Sequence, residues 1–577
     1  VKINWKKTVT SVVLSASLMT SSYAAIAAEP VDTSAEVLAS ANYQLNDILS
    51  VELKSVLNEH VLGGTRIGVI VRMKNNGTSI SRVPEYEVRV KTNEGVEYTL
   101  QASASNPKSI QPKTNTELSY LSDIDRTDSV TLSEVNWTDV DYYVYPKKET
   151  LMLAVPISGE AWKGSDMPIT NPAAVKKWGE SFTVPSLLSP LQYQPVSIEK
   201  EVTDKGTVQV VQLLVTNPTQ QRETMPEFVI DGKTDSQSYS GKKIEQDQII
   251  LEANEQKYVH YAVPTDNDTV LSSINVLTPE QFSQSNGGQG GQPDTVKYNV
   301  GRLNILLPNA SASAVYSSYQ MGETMKFDAL SQLIHPNLNV SVVEFHMNDN
   351  EDEGSKSVTA KFRLFNKSDL PIAVPVFQTD LISSDGYTYT GNRQSITTQR
   401  ILPNSGLVIN YAYTLPSSEK GTGLVIRVND TQKAAPYKTS IAAYGINLQQ
   451  MDTNEKFSVY PFDAKVNYWT VSPMYNRKGD LTYSYKARFD LEMKRVEQIQ
   501  VDASFSKLQL EIYNSTNNLI GTQQISFIGA NRLISGENNI MLDATSDQLE
   551  RPLTIKLYES FTTPAGNSKR LLGVFTQ

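Results

Sequence analysis

The sequence predicts an all-β protein: tandem β-sandwiches that follow an export signal. Three observations predict it. Apolar residues alternate with polar ones at period two, as in strands with one face in a core. Turn residues recur about every 8–12 positions, the spacing of sandwich strands. A block of columns repeats three times along 577 residues that contain no cysteine, and at about 100–200 residues per domain that length holds roughly three to five units.

The first element is the N-terminus. Lys2, Lys6 and Lys7 precede a modestly apolar stretch from Val9 to Met19, then Ala24-Ala25-Ile26-Ala27-Ala28. This order of charged, apolar and small residues predicts a signal peptide over 1–28, cleaved after Ala27 or Ala28. The apolar stretch falls short of the about 20 residues a spanning helix needs. No later stretch reaches that length either, so no membrane span is expected in the mature chain. Cleavage takes away three lysines and makes a chain of net charge −10 more acidic still. An acidic chain is a poor nucleic-acid partner. The missing cysteines exclude disulfides, zinc–thiolate sites and thiol catalysis.

The repeat comes next, anchored on Asn75, Asn217 and Asn366. Nine residues on stand Pro84, Pro226 and Pro375, then Tyr86, Phe228 and Phe377. Tyr98, Tyr239 and Tyr389 follow. A turn position then falls at Pro112, Ala253 and Pro403, preceded by Ile110, Leu251 and Ile401. Tyr120, Tyr261 and Tyr411 close the block. Upstream of each asparagine runs an alternating strand: Val69, Val71 and Met73; Val211, Leu213 and Val215; Ala360, Phe362 and Leu364. The opposite face carries Arg72 and Lys74 in the first copy and Lys361 and Arg363 in the third, and is expected to face solvent. Asparagine ends such a strand because its side chain bonds nearby backbone. Proline opens the next strand at an edge, where no ladder donor is lost. Gly95 and Gly386 supply hairpin turns.

These columns divide the chain into sandwiches over 29–170, 171–312 and 313–450. A fourth segment, 451–577, lacks the columns but carries strand patterns at Lys507 to Tyr513 and Leu553 to Tyr558, and is read as a divergent sandwich. The Gly/Gln-rich stretch 283–294 resembles a linker in composition. The third copy has a short connection at the equivalent place, so the stretch is read as a loop inside the second unit, a tolerated insertion.

The four histidines, His60, His260, His335 and His346, show no metal-ligand spacing, and no cofactor or metal site is expected. His260 sits opposite Tyr261 on its strand and is read as facing solvent. There is no G-x-S-x-G elbow, P-loop or G-x-G-x-x-G, and nothing designates a catalytic residue. Asn348-Asp349-Asn350-Glu351-Asp352-Glu353-Gly354 suggests a cation loop. The acidic residue that an EF-hand needs twelve positions along falls, counting from Asp349, on core-facing Ala360, so the run is read as a charged hairpin. One aromatic region, Tyr468, Trp469, Tyr475, Tyr483 and Tyr485, offers a sugar-stacking platform, against the plain reading that strands use aromatics for packing.

The repeat resembles secreted bacterial immunoglobulin-like domains. The third copy is similar to extracellular antigen-like domains of Gram-positive bacteria in Asn366, Pro375-Val376-Phe377, Asp385-Gly386-Tyr387-Thr388-Tyr389 and Pro403-Asn404-Ser405-Gly406. The second copy departs, with Asp235-Ser236-Gln237-Ser238-Tyr239 in place of the Asp-Gly hairpin. The resemblance implies sandwich folds and a cell-envelope setting, and it carries over no catalytic residue. The expected function is therefore a non-enzymatic secreted or surface protein whose partner is an envelope polymer or surface protein. The alternatives are a carbohydrate-binding protein that uses the C-terminal aromatics, a hydrolase hidden in the divergent regions, and a self-assembling fibre or layer. No L-P-x-T-G sorting motif is present.

Overall fold

A computed structural model describes residues 41–157, 161–284, 294–308, 315–350, 354–450, 455–476, 482–497, 499–546 and 551–577. The expected signal peptide, residues 285–293 of the Gly/Gln-rich loop and Glu351 to Glu353 lie outside these. Among the described residues the chain is all-β and sandwich-like, without an α-helix; a single 3-10 turn occupies Pro172–Ala174. No helix is long and apolar enough to cross a membrane.

The buried apolar residues gather into four large cores, here called units one to four in chain order. Each unit's first sheet carries a long antiparallel hairpin, preceded in units one and four by a short strand, Asn42–Gln44 and Lys456–Val459. The pairs are Leu49–Val61 with Gly64–Asn75, Gln192–Thr203 with Gly206–Thr216, Leu338–Asn350 with Ser355–Asn366, and Phe462–Asn476 with Thr482–Arg495. The third pairing sets Asn350 opposite Ser355. Every one of these hairpins carries a bulge in its first strand, at Leu53/Ser55, Pro195/Ser197, Val342/Glu344 and Val466/Tyr468. One extra residue there bends and twists the strand.

The three anchor asparagines are buried and make one set of bonds. Each side-chain oxygen accepts from the backbone N–H two residues on, in Gly77, Thr219 and Ser368. Each amide donates to the carbonyl four residues on and to Ile110, Leu251 or Ile401 of the turn column. A satisfied buried amide of this kind replaces several backbone partners that the turn would otherwise lose.

The prolines stand elsewhere than expected. Pro84, Pro226 and Pro375 occupy the break after a short strand (Ser81–Arg82, Glu223–Thr224, Ile372–Ala373) that pairs with the turn column. The chain there leaves a two-stranded sheet and enters the second sheet, where a missing N–H costs no ladder bond. Gly95 and Gly386 both have φ of 85° in their hairpin turns. The second unit, without that glycine, uses Thr234, whose hydroxyl accepts from Gln237 N at 3.0 Å.

The second sheets differ between units. In unit one the sheet of Glu87–Thr92, Glu97–Ala102, Leu132–Asp141 and Lys148–Pro156 joins the first through Glu97–Ala102. In unit two the strands Ser273–Gln284 and Asp294–Leu306 form a long hairpin around the Gly/Gln-rich loop. In unit three Gln378–Ile382 pairs with Val425–Asp430, and that strand with Thr439–Gly445. In unit four Lys507–Tyr513 pairs with both Leu519–Ser526 and Thr554–Thr563, and Gly566–Thr576 follows.

Candidate functional site: the charged junctions between units

Alternation places Arg72, Lys361 and His260 on the outer faces of first sheets, where the sequence reading put them in solvent. They are buried instead, at 4%, 0% and 3% exposure. The cause is the next unit: the second sheet of each unit lies on the outer face of the first sheet of the one before. A polar face in the strand pattern is here an ionic interface.

At the first junction Lys54, the bulge residue, pairs with Glu117 at 2.7 Å and with Glu280 of unit two at 3.0 Å. Arg302 of unit two meets Glu280 at 3.1 Å and donates to the carbonyl of Lys54. Arg72 is held between Glu52 and Glu117, each at 3.1 Å, and donates to the carbonyl of Ser186. Beside these charges Leu57, Leu121, Trp162, Leu277, Phe282 and Val300 form a small apolar core of their own. Trp162 lies flat against Gly301, where an added Cβ would fall 2.2 Å from the indole. The base of the Gly/Gln-rich hairpin is fixed here too, since Ala104 N donates to Ser283 O at 2.8 Å.

At the second junction Arg427 of unit three reaches Glu199 of unit two at 3.3 Å and its own Asp380 at 3.1 Å. Lys438 pairs with Asp380 at 2.9 Å, and its backbone N–H donates to Glu201. Tyr258 donates to Asp328 at 2.6 Å. Val208, Val210 and Ala262 pack with Ile244 and Tyr437. His260 lies on this covered face, its Nδ1 2.6 Å from Glu245. Three carboxylates share two cations, and Asp380 engages both. Burial pushes the carboxyls of Glu199 and Glu201 above their ordinary value, against the pull of Arg427 and Lys438.

The third junction is the most deeply buried. Lys361 lies 2.6 Å from Glu344 and 2.9 Å from Glu559 of unit four, and Arg570 of unit four lies 3.3 Å and 2.7 Å from the same two carboxylates. The four side chains are 0–6% exposed. Glu344 also accepts from Ser458 Oγ and Tyr460 N. Burial pushes both carboxyls up, but Lys361 and Arg570 overcome it, and both titrate below their ordinary value, Glu559 at about 2. Burial and the nearby Arg570 bring His346, on the same face, down to about 4, so it is neutral at pH 7. Around this cluster Asp502 of unit four accepts from the backbone of Thr397 and Thr398 and from Ser504. Burial opposes ionisation there, and these donors hold its carboxyl well below the usual range. Gln500 N donates to Gly406 O at 2.6 Å.

Two cations set among two carboxylates balance their charge, Arg570 by hydrogen bonds to both and Lys361 by ion-pair contact, and the cluster fixes how the units sit together. Among the described residues no three His, Asp or Glu side chains gather as a metal-binding group. His60 and His335 are exposed. A shallow groove lies between Leu519–Ser526 and Gly536–Ser546, lined by amide side chains, by Lys507, Arg532 and Glu537 and by apolar residues such as Ile525, Leu533 and Ile540, without a histidine.

The aromatic region of unit four does not form one open face. Tyr485 is fully buried, with its hydroxyl 2.8 Å from Ser546 Oγ. Trp469 and Tyr483 pack against the core, Trp469 with its ring 5.3 Å from that of Phe575. Tyr468 and Tyr475 are exposed; Tyr468 lies on the opposite strand face from Trp469, beneath Arg488. The reason is period two: neighbours along a strand point to opposite sides. The most exposed aromatics of the described chain lie instead at Tyr143 and Tyr145 of unit one, at 101% and 102%. The signal for them was Asp141-Tyr142-Tyr143-Val144-Tyr145-Pro146, an aromatic run with turn chemistry rather than strand alternation.

No protein-family model matches the sequence, and no curated protein matches it. Among solved structures the chain is similar to dimeric latent PorU from Porphyromonas gingivalis, at 10% identity with a TM-score of 0.14. The match covers 67% of this chain and 34% of that one, so the chain spans about a third of that protein's length. A likeness at that score carries no argument about fold or activity.

Proposed function

We propose that the chain is a non-enzymatic, exported protein of Gram-positive type: four immunoglobulin-like sandwiches, three of them copies of one unit, joined as a fixed array that presents a surface to an envelope polymer or surface protein. One observation supports this best. All three junctions use the same face-to-face stacking, and each is crossed by ion pairs that are buried or half-buried. Independent domains on a string would leave those charges in water. Buried pairs are worth keeping where they fix a unique arrangement, and that is their role here. The basic, apolar, small-residue N-terminus supports export.

Small-angle scattering of residues 29–577 tests the array. A single rigid body should fit the curve at 0.1 M and at 1 M salt alike, because buried pairs are screened little. A curve that requires an ensemble of unit orientations overturns the fixed array. Fractionation of the source cells tests the location: a processed chain in the wall or medium is expected, and an unprocessed cytoplasmic chain overturns export.

A further inference from the structure

The tip of one hairpin in unit one has no structural reason to be aromatic. Strands Leu132–Asp141 and Lys148–Pro156 are joined through Tyr142-Tyr143-Val144-Tyr145-Pro146-Lys147. Tyr143 and Tyr145 are as open as in an extended peptide, and Tyr142 and Val144 are exposed at 66% and 44%. Tyr193, Tyr261, Tyr411 and Tyr413 are fully buried by contrast, and the exposed Tyr387, Tyr468 and Tyr475 reach at most 68%. A turn that only had to connect two strands would use small polar residues.

The base of the tip is braced. Tyr142 donates to Glu87. Arg89 pairs with Glu87 at 2.6 Å and with Glu149 at 2.9 Å, and Lys147 pairs with Glu149 at 2.6 Å. Asp141 accepts from the backbone of Tyr143 at 3.0 Å. A ligand that meets this tip therefore has little ordering of the backbone to bring about.

We infer that this hairpin tip binds an uncharged polysaccharide, with Tyr143 and Tyr145 stacking on sugar rings. A tyrosine ring offers a flat apolar face and a hydroxyl that donates and accepts, which matches the apolar C–H face and hydroxyl rim of a pyranose. The charges around the tip choose among polymers. Glu87, Asp139, Asp141 and Glu149 stand against Arg89, Lys147 and Lys148, so no basic patch is left for an anionic polymer or an anionic lipid surface. The tip also lacks the Leu, Phe and Trp side chains that anchor a loop in a bilayer. The inference holds whether or not the four units form a fixed array.

Affinity electrophoresis of residues 29–577 through gels containing soluble α- and β-glucans tests this, together with a pull-down on insoluble N-acetylglucosamine polymer. At least one polymer should retard or retain the chain. Tyr143→Ala/Tyr145→Ala should weaken that by at least about tenfold with an unchanged melting temperature, since both rings are outside the core. Tyr468→Ala/Tyr475→Ala should bind as the parent does. Binding to none of these polymers overturns the inference, as does equal binding by the Tyr143/Tyr145 variant. Flotation with phosphatidylcholine vesicles that the same variant abolishes overturns it in favour of a bilayer.

Discussion

The second and third junctions solve one problem in opposite ways. Both lay a second sheet on the outer face of the preceding first sheet, and both bury carboxylates there. At the third junction two cations meet two carboxylates, all nearly out of reach of water, and the cations win: Glu344 and Glu559 titrate low. At the second, Asp380 is fully buried and takes both Arg427 and Lys438, while Glu199 at 15% exposure is left with part of one cation. Burial wins there, and Glu199 and Glu201 titrate high. Burial alone therefore does not decide the direction of a shift; the count of countercharges inside the same shell does.

The largest test of the contrast removes a cation from the balanced cluster. Lys361→Met leaves Glu344 and Glu559 sharing Arg570 alone, and should cost about 3–5 kcal/mol in urea unfolding at pH 7. Adding Glu559→Gln to that variant should recover part of the loss. A cost below about 1 kcal/mol would mean that the cluster is hydrated and the contrast is lost.

Next in size is a control on the units themselves. Asn217→Ala and Asn366→Ala each remove a buried amide with equivalent bonds, and each should cost about 1–3 kcal/mol. Equal losses place the difference between the two regions in their junctions. A much larger loss for one of them would place it in the cores.

Smallest, and opposite in sign, are the responses to acid. At the third junction the assembled state holds His346 with a lowered pKa, so stability present at pH 7 is lost as pH falls through about 6.5 towards 4. The lowered Glu344 and Glu559 lose theirs from the ordinary glutamate range down to about 2. At the second junction the raised carboxyls prefer their protons in the assembled state, so that junction tightens as pH falls through their raised values to the ordinary glutamate range. Native-state hydrogen exchange at pH 7 and at about pH 4.5, the ordinary glutamate range, corrected for intrinsic rates, should show protection rising in Gln192–Thr203 and falling in Ser355–Asn366. Glu199→Gln should remove part of the rise. Changes of the same sign in both strands would refute the contrast.

Much of the fold was legible in the residues. Val69, Val71 and Met73 announce a strand and its inward face, and Asn75, Asn217 and Asn366 mark the strand end because an amide at that position can serve two turns at once. The prolines were placed one step too far along, since two-residue strands such as Ser81–Arg82 leave no periodicity to read. The aromatic platform was read from density of rings, and density says nothing about which face each ring takes. The tyrosine tip went unread for the converse reason: exposure is a property of the fold.

Local features were legible in the residues, strand after strand, the inward face of each and the turns between them, because these follow from side-chain period and backbone sterics within a few residues. The fate of the outward face depends instead on contacts between units. A lysine at Lys361 satisfies the alternation equally well in water or between Glu344 and Glu559, since the pattern records only that the position avoids the core. Its partner Glu559 and the Arg570 that balances the cluster lie far along the chain, and the docking of one unit on another brings them there.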